Sequence, residues 1–280
     1  MRRRRGFLAS LVLLVLAAAA IGYAGWLARA DVPPPPAGTS TPSATSPTPP
    51  SQPSGAGGAV EPTGRCAPAA VDGIPRQGRE AVPLPSRAEA VTALAGLAVA
   101  SRTAGDTYCR GRFGPDTWPD LDGNTCSTRQ DVLVRQATTV TTRRITSHGG
   151  TCQEAISGTW VDAYTGATLS FSNLKDPSQA QQLQIDHVVP LYNAWVSGAS
   201  VWTDDQRVIF ANDLVNPELR AVAGAVNFAK DHAGPESWQP EPAQRCDYAR
   251  AYVTVKAAYR LTVTTRERDA LAAMLDTCSG

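Results

Sequence analysis

The sequence predicts an α+β fold in which modest sheets pack with several helices. Capping boxes begin at Ser86, Thr203 and Thr264, each followed by an apolar stretch typical of a helix. Short runs rich in Thr, Val, Ile and aromatic residues lie between these boxes, as strands do. No repeat of a longer unit is found along the chain. One mixed domain is therefore the expected architecture.

The elements can be justified in order from caps, composition and breakers. Ser127 caps a second short helix, Gly166 interrupts a strand-like run, Pro190 stops the next strand, and Gly234-Pro235 ends a short helix. Helices are expected at 86–102, 127–136, 192–197, 203–212, 226–231, 248–259 and 266–275. Strands are expected at 138–146, 158–171, 183–189 and 218–222, with a Gly-, Pro- and Asp-rich loop at 108–126.

The N-terminal part is not expected to belong to the domain. Four arginines, Arg2–Arg5, precede an uncharged apolar run at 7–28, which is typical of a signal peptide or a membrane anchor. The Ala28-Arg29-Ala30 sequence favours cleavage, whereas 22 apolar residues, close to the roughly 20 that span a bilayer, favour a retained transmembrane anchor. Residues 1–30 therefore predict an extracellular or cell-surface protein in either case. Residues 31–64 are rich in Pro, Ser and Thr and predict a disordered linker, which leaves a domain at 65–280.

The charge of this domain differs from that of the whole chain, which is +1. Five of the 26 basic residues and two of the 25 acidic residues precede residue 65, so the domain has 21 basic and 23 acidic residues. Its net charge is near −2, which argues against tight, passive binding of nucleic acid through many phosphate contacts. An enzyme that engages a phosphate transiently through a metal ion is still compatible with this charge.

All six cysteines lie in the domain, and an even number in an exported protein predicts three disulfides. Cys246 and Cys278 flank the two C-terminal helices, so their pairing would close a helical hairpin. Cys126 with Cys152 and Cys66 with Cys109 are the further pairs we favour among the 15 possible connectivities. A structural zinc site is the alternative, but no C-x-x-C spacing supports it.

The stretch Asp186-His187 ends an apolar, strand-like run and begins a set of residues suited to phosphodiester hydrolysis. An imidazole can deprotonate water near neutral pH, so His187 is the candidate base. Hard cations take oxygen ligands, so Asp186 and the amide oxygen of Asn227 are candidate metal ligands. Asn216 is a candidate to orient His187, and Lys230 lies one helical turn from Asn227, where it could bind a phosphate.

This pattern resembles the HNH endonuclease superfamily, the ββα-metal nucleases, in its D-H-x-x-P branch. The motif Asp186-His187-Val188-Val189-Pro190, followed by Asn216 and then Asn227-Phe228-Ala229-Lys230, carries the resemblance. Stretches at 160–166, 211–214 and 235–238 and the Cys-flanked final helices are similar to exported actinobacterial HNH-family proteins. The resemblance implies a ββα-metal core at about 183–240 within a helix-rich, disulfide-stabilised domain. It also implies that Asp186 and Asn227 bind the metal, His187 is the base and Asn216 orients it.

Two positions qualify the resemblance. His232 stands where related sequences often have Asp, five residues beyond the helix Asn, and is a possible helper residue. Because imidazole suits softer metals, His232 leaves Mn²⁺, Ni²⁺ or Zn²⁺ open beside the Mg²⁺ that the family implies. Asn212 is a second candidate for the central asparagine.

The resulting hypothesis is an exported, metal-dependent endonuclease whose substrate is nucleic acid, DNA rather than RNA. The membrane is a further partner if the N-terminal segment is retained, and the sequence identifies no protein partner. The alternative is a surface-tethered binding or envelope-associated domain that keeps a relic of the motif and has no turnover. The near-neutral domain and His232 are the features that favour this alternative.

Overall fold

The computed structural model describes residues 66–279. The expected signal peptide or anchor at 1–30 and the linker at 31–64 lie outside these residues. Among the described residues, no helix has the length and apolarity needed to cross a membrane.

The described residues form an α+β fold with small sheets, as the sequence predicts. One sheet is an antiparallel meander in the order β1-β2-β3, with β1 at Ala137–Ser147, β2 at Gly150–Val161 and β3 at Thr168–Phe171. The other sheet pairs β4, Leu183–His187, with β5, Leu219–Ala223, also antiparallel.

The helices mostly begin at the caps that the sequence predicts. Ser86, Thr203 and Thr264 each form a full capping box, in which the side chains of residues N-cap and N3 bond to each other's backbone N–H. The helices are α1 Arg87–Gly96, α2 Thr128–Gln136, α3 Pro177–Ala180, α4 Leu191–Val196, α5 Asp204–Ala211, α6 Gly224–Lys230, α7 Arg245–Ala258 and α8 Thr265–Leu275.

Helix α1 and strand β2 have boundaries that differ from the sequence-based expectation. Helix α1 ends at Gly96 instead of near Arg102, because the following segment is extended and Val99 forms a parallel bridge with Val263. Strand β2 begins at Gly150 instead of Gly158, since its first residues pair with β1 through a hairpin turn at His148 and Gly149. In each case a long-range backbone pairing overrides the local signal.

The two largest of three apolar clusters among the described residues hold the elements together. The larger one lies among α1, α4, α5, α7 and α8, and its fully buried aromatic residues include Tyr164, Phe210 and Tyr252. The smaller one packs α2 against the two sheets through Leu133 and Trp160, among others. Burial of a large apolar side chain contributes about 1.5–3 kcal/mol, so these clusters are the main source of the fold's stability.

Strand β4, strand β5 and helix α6 pack into a strand–strand–helix unit, with α4 and α5 inserted between the two strands. Asp186 lies opposite Arg220 across the two strands, and His187 lies opposite Leu219. Helix α6 follows β5 without a break and packs on both strands. Beyond His187 the chain turns away, with Val189 N–H bonded to the Glu218 carboxylate. The paired strand therefore ends at His187, two residues before the expected Val189.

Three disulfides link distant parts of the chain. They join Cys66 to Cys109, Cys126 to Cys152 and Cys246 to Cys278, with Cα–Cα distances of 5.9, 4.9 and 4.9 Å. These are the pairs that the sequence favours. The first two hold the two ends of the 108–126 loop, which faces the candidate site.

Candidate active site

The candidate site is a cavity of about 710 Å³ beside the strand–strand–helix unit. Asp186 and His187 enter it from the end of β4, and Asn227 enters it from α6. Successive residues of a regular strand point to opposite faces, so Asp186 and His187 can share a cavity because the strand ends there. The 108–126 loop and α4 supply the opposite wall.

The imidazole of His187 is held in one orientation by two contacts. Its Nε2 lies 2.9 Å from the carbonyl oxygen of Ala211, and Trp118 stacks on the ring with 5.5 Å between ring centres and 12° between planes. Because a carbonyl oxygen can only accept, Nε2 carries the hydrogen and Nδ1 keeps its lone pair. Burial, with smaller contributions from Arg110 and Lys230, lowers the pKa of His187 from 6.5 to about 3. The ring is therefore neutral at neutral pH.

The carboxylate of Asp186 is buried and uses one oxygen for internal contacts. Its Oδ2 accepts a hydrogen bond of 2.5 Å from the Tyr164 hydroxyl and lies 2.8 Å from Lys230 Nζ. Burial, followed by the negative charge of Asp186, raises the pKa of Tyr164 well above its usual value, so this phenol stays a donor. The other oxygen, Oδ1, makes no hydrogen bond within residues 66–279. One oxygen of Asp186 is thus available to a ligand.

Lys230 does not lie where the sequence-based hypothesis requires. Its side chain is 0% exposed, and Nζ also donates a hydrogen bond of 2.8 Å to the backbone oxygen of His187. The ammonium lies over the ring of Tyr164 at 5.8 Å. The lysine is therefore an internal counter-charge for Asp186 that does not line the cavity, and the expected phosphate contact needs another residue.

The two other asparagines also lie away from their expected contacts. Asn216 bonds to Asp213 through its backbone N–H at 3.0 Å and its Nδ2 at 2.7 Å, and makes no bond to His187. Asn212 donates from Nδ2 to the Val208 carbonyl at 2.9 Å, while its buried Oδ1 has no partner in the described part of the chain. The carbonyl of Ala211 orients His187 in place of either side chain.

Asn227 and His232 both line the cavity. Asn227 donates from Nδ2 to the Gln184 side chain at 2.8 Å, which fixes the amide, and its oxygen has no hydrogen bond among residues 66–279. His232 is 62% exposed, lies 2.7 Å from Asp231 and meets Tyr192 edge-on. His232 is therefore part of the rim of the cavity.

The comparison with known protein families connects this cavity to a class of enzymes. Residues 127–274 match the family model of the C-terminal domain of GmrSD restriction endonucleases. The chain belongs to this family. A protein of Arthroderma benhamiae described as an uncharacterized secreted protein is 45% identical over 197 residues, which are 70% of this chain and 87% of that protein. No solved structure matches the chain.

Membership of the GmrSD C-terminal family supports a nuclease-like hydrolase with nucleic acid as its substrate. The D-H-x-x-P branch and the actinobacterial type stay predictions from the sequence. The matched segment includes Asp186, His187 and Asn227, and it leaves out the whole of the 108–126 loop.

The donor groups of this GmrSD-family cavity can be tested against a divalent cation. Among residues 66–279, no three His, Cys, Asp or Glu side chains are grouped so as to hold a metal ion. However, Oδ1 of Asp186 and the amide oxygen of Asn227 are both without hydrogen bonds and belong to side chains of the same cavity. Two hard oxygen ligands fit Mg²⁺, which keeps several waters, better than a metal that needs a closed protein cage. The donor set therefore fits a hydrated, hard cation.

Sequence reasoning missed the residues that the 108–126 loop contributes. Arg110, whose side chain is 45% exposed, and Trp118 both line the cavity and flank His187. Trp118 has a positive φ of 56°, which is uncommon for a bulky residue and marks a backbone held by its surroundings. The available signal was a loop with two arginines and a tryptophan between Cys109 and Cys126, whose disulfides hold the loop on the domain.

Proposed function

We propose that this protein is an exported, metal-dependent nuclease that hydrolyses phosphodiester bonds of nucleic acid, DNA rather than RNA. The observation that carries the proposal is that Asp186, His187 and Asn227 line one cavity. Among residues 66–279, the Asp186 Oδ1, the His187 Nδ1 and the Asn227 amide oxygen have no hydrogen bond. The secreted relative supports export, and membership of a restriction-endonuclease family supports the reaction class.

In this proposal His187 accepts a proton from the attacking water at Nδ1. The Ala211 carbonyl fixes the tautomer, and the stacked Trp118 fixes the plane of the ring. The low pKa of His187 keeps Nδ1 unprotonated at neutral pH, but it also makes Nδ1 a weak base, because general-base catalysis is most efficient when the pKa lies near the operating pH. A positioned general base typically contributes about 10²–10⁴-fold in rate.

Asp186 and Asn227 would hold the divalent cation, most simply Mg²⁺, with Mn²⁺, Ni²⁺ or Zn²⁺ as the alternatives. When bound, such a cation neutralises charge that develops on the phosphate and the leaving oxygen. Arg110 takes the phosphate-binding role expected of Lys230, because it lines the cavity beside His187. His232 stays a possible helper at the rim.

The test compares degradation of supercoiled plasmid and of heat-denatured DNA in Mg²⁺ or Mn²⁺ by wild type and His187→Ala. The expected loss is at least about 100-fold. His148→Ala is the matched control, because His148 is an exposed residue in the turn of the β1–β2 hairpin and does not line the cavity. Equal degradation by wild type and His187→Ala would refute the proposal.

A second candidate is a surface-tethered binding domain with a relic motif and no turnover. The observation that favours it is that Lys230 and Tyr164 occupy Oδ2 of Asp186, which leaves only Oδ1 for a metal ion and offsets the charge of the carboxylate. Calorimetry with Mg²⁺ and Mn²⁺ on wild type and Asp186→Asn distinguishes the two. Absence of divalent binding in both proteins, together with absence of degradation, favours the binding domain.

A further inference from the structure

Phe228 is the most exposed aromatic residue near the cavity. Its side chain is 87% exposed, it follows Asn227 directly on α6, and it lines the same cavity as Asp186 and His187. A single exposed apolar residue is ordinary on a protein surface. Its position beside the proposed reacting groups is what requires an explanation.

The other aromatic rings of the cavity already contact a ring partner. Tyr108 and Tyr192 meet edge-on at 5.2 Å, Tyr192 also meets His232 edge-on at 5.2 Å, and Trp118 stacks on His187. Phe228 forms no ring pair with any residue in the 66–279 range. Its side chain is therefore largely exposed to solvent beside the cavity.

The charges of the cavity are unsuited to holding a duplex by its backbone. Arg110 is the one arginine or lysine that residues 66–279 contribute to the cavity lining, because Lys230 is buried, and Asp186 and Asp231 add negative charge there. Duplex binding through phosphates depends on many cationic contacts and is correspondingly sensitive to salt. With Arg110 as the cationic side chain of the cavity, phosphate contacts there contribute little to affinity.

We infer that Phe228 is a stacking platform for a nucleobase next to the scissile phosphate, so that the substrate is single-stranded or locally unpaired DNA. This inference rests on the proposed function. A base offers its face to a side chain when it is out of the duplex stack. Aromatic stacking tolerates every base and adds binding without further positive charge. A cavity of about 710 Å³ lies in the range of pockets that enclose small ligands.

The experiment measures binding and cleavage separately on the full chain. Fluorescence anisotropy follows the binding of a labelled single strand of about 20 nucleotides and of the same sequence as a perfect duplex. The buffer contains EDTA, so that no metal-dependent turnover occurs. Cleavage of both substrates is then measured in Mg²⁺. The variants are Phe228→Ala, Phe228→Leu and Phe228→Tyr, with Val201→Ala as the control, because Val201 is 88% exposed and is not part of the cavity lining.

We expect Phe228→Ala to weaken single-strand binding and raise KM by roughly 5- to 100-fold, the effect of losing one stacked base, with little change in kcat. Phe228→Leu keeps apolar area without a ring and should behave like Phe228→Ala. Phe228→Tyr and Val201→Ala should behave like wild type. The wild type should prefer the single strand over the duplex.

The inference is overturned if Phe228→Ala binds the single strand as tightly as wild type does, or if wild type prefers the duplex. In either case, cleavage that depends on His187 would still support the proposed function. Ring-dependent binding without cleavage in any metal removes the proposed function and keeps the stacking site. Failure of the wild type to bind either probe overturns the inference as well.

Discussion

Replacing Lys230 with methionine should destabilise the protein strongly, even though the residue lies beside the proposed catalytic groups. Lys230 is fully buried, with Nζ 2.8 Å from Asp186 Oδ2 and 2.8 Å from the backbone oxygen of His187. The substitution leaves the buried carboxylate of Asp186 without its counter-charge. Removing one partner of a buried ion pair costs about 3–5 kcal/mol. For a domain of this size that is a fall in Tm of about 6–20 °C.

The assay is urea or thermal unfolding in EDTA, with disulfides intact, followed by tryptophan fluorescence. Asp186→Asn combined with Lys230→Met should be more stable than the sum of the two single effects predicts, because the double variant removes both charges. If Lys230→Met unfolds like wild type and loses only activity, the lysine acts on substrate and its assignment as a structural counter-charge is wrong.

Three further predictions concern other parts of the fold. Burial raises the pKa of Asp131 from 3.8 to about 6. Its ionisation should therefore lower the free energy of unfolding as pH rises from about 4 to 6, by about 1–2 kcal/mol after solvent screening. Asp131→Asn should flatten this part of the pH profile of the unfolding free energy. Trp118→Ala should lower kcat about 2- to 10-fold by releasing the ring of His187, whereas Trp118→Phe should retain most of it in single-strand cleavage assays. Replacing Cys246 and Cys278 together with serine opens a link of 32 residues and should cost about 3–4 kcal/mol in unfolding measurements; an unchanged Tm contradicts this.

Local signals predicted most of the fold. The capping boxes at Ser86, Thr203 and Thr264 depend on side chains three residues apart, so each helix start can be found without knowledge of the rest of the molecule. The early end of α1 and the early start of β2 could not be found in this way. Each depends on pairing with a distant segment, Val263 in one case and β1 in the other.

Less of the site than of the fold could be predicted from the sequence, because two of its features are not visible in a sequence. One is a backbone carbonyl, that of Ala211, and every residue has one. The other is burial by residues distant in sequence. A lysine on a helix is usually solvated, whereas Lys230 is enclosed by Tyr164 and Asp186. Asn216 matched the expected spacing, yet its side chain bonds to Asp213, three residues away.

Under the proposed function, the same ion pair bears on how a metal ion is held. Lys230 neutralises much of the charge of Asp186 before any cation binds, and Asn227 is uncharged, so the two proposed ligands offer a divalent cation little net charge. Mg²⁺ is commonly held by one or two carboxylates together with substrate phosphates. We therefore expect the phosphate of the nucleic acid to complete the metal site. Metal and substrate then bind more tightly together than alone, and each must raise the affinity of the other by the same factor.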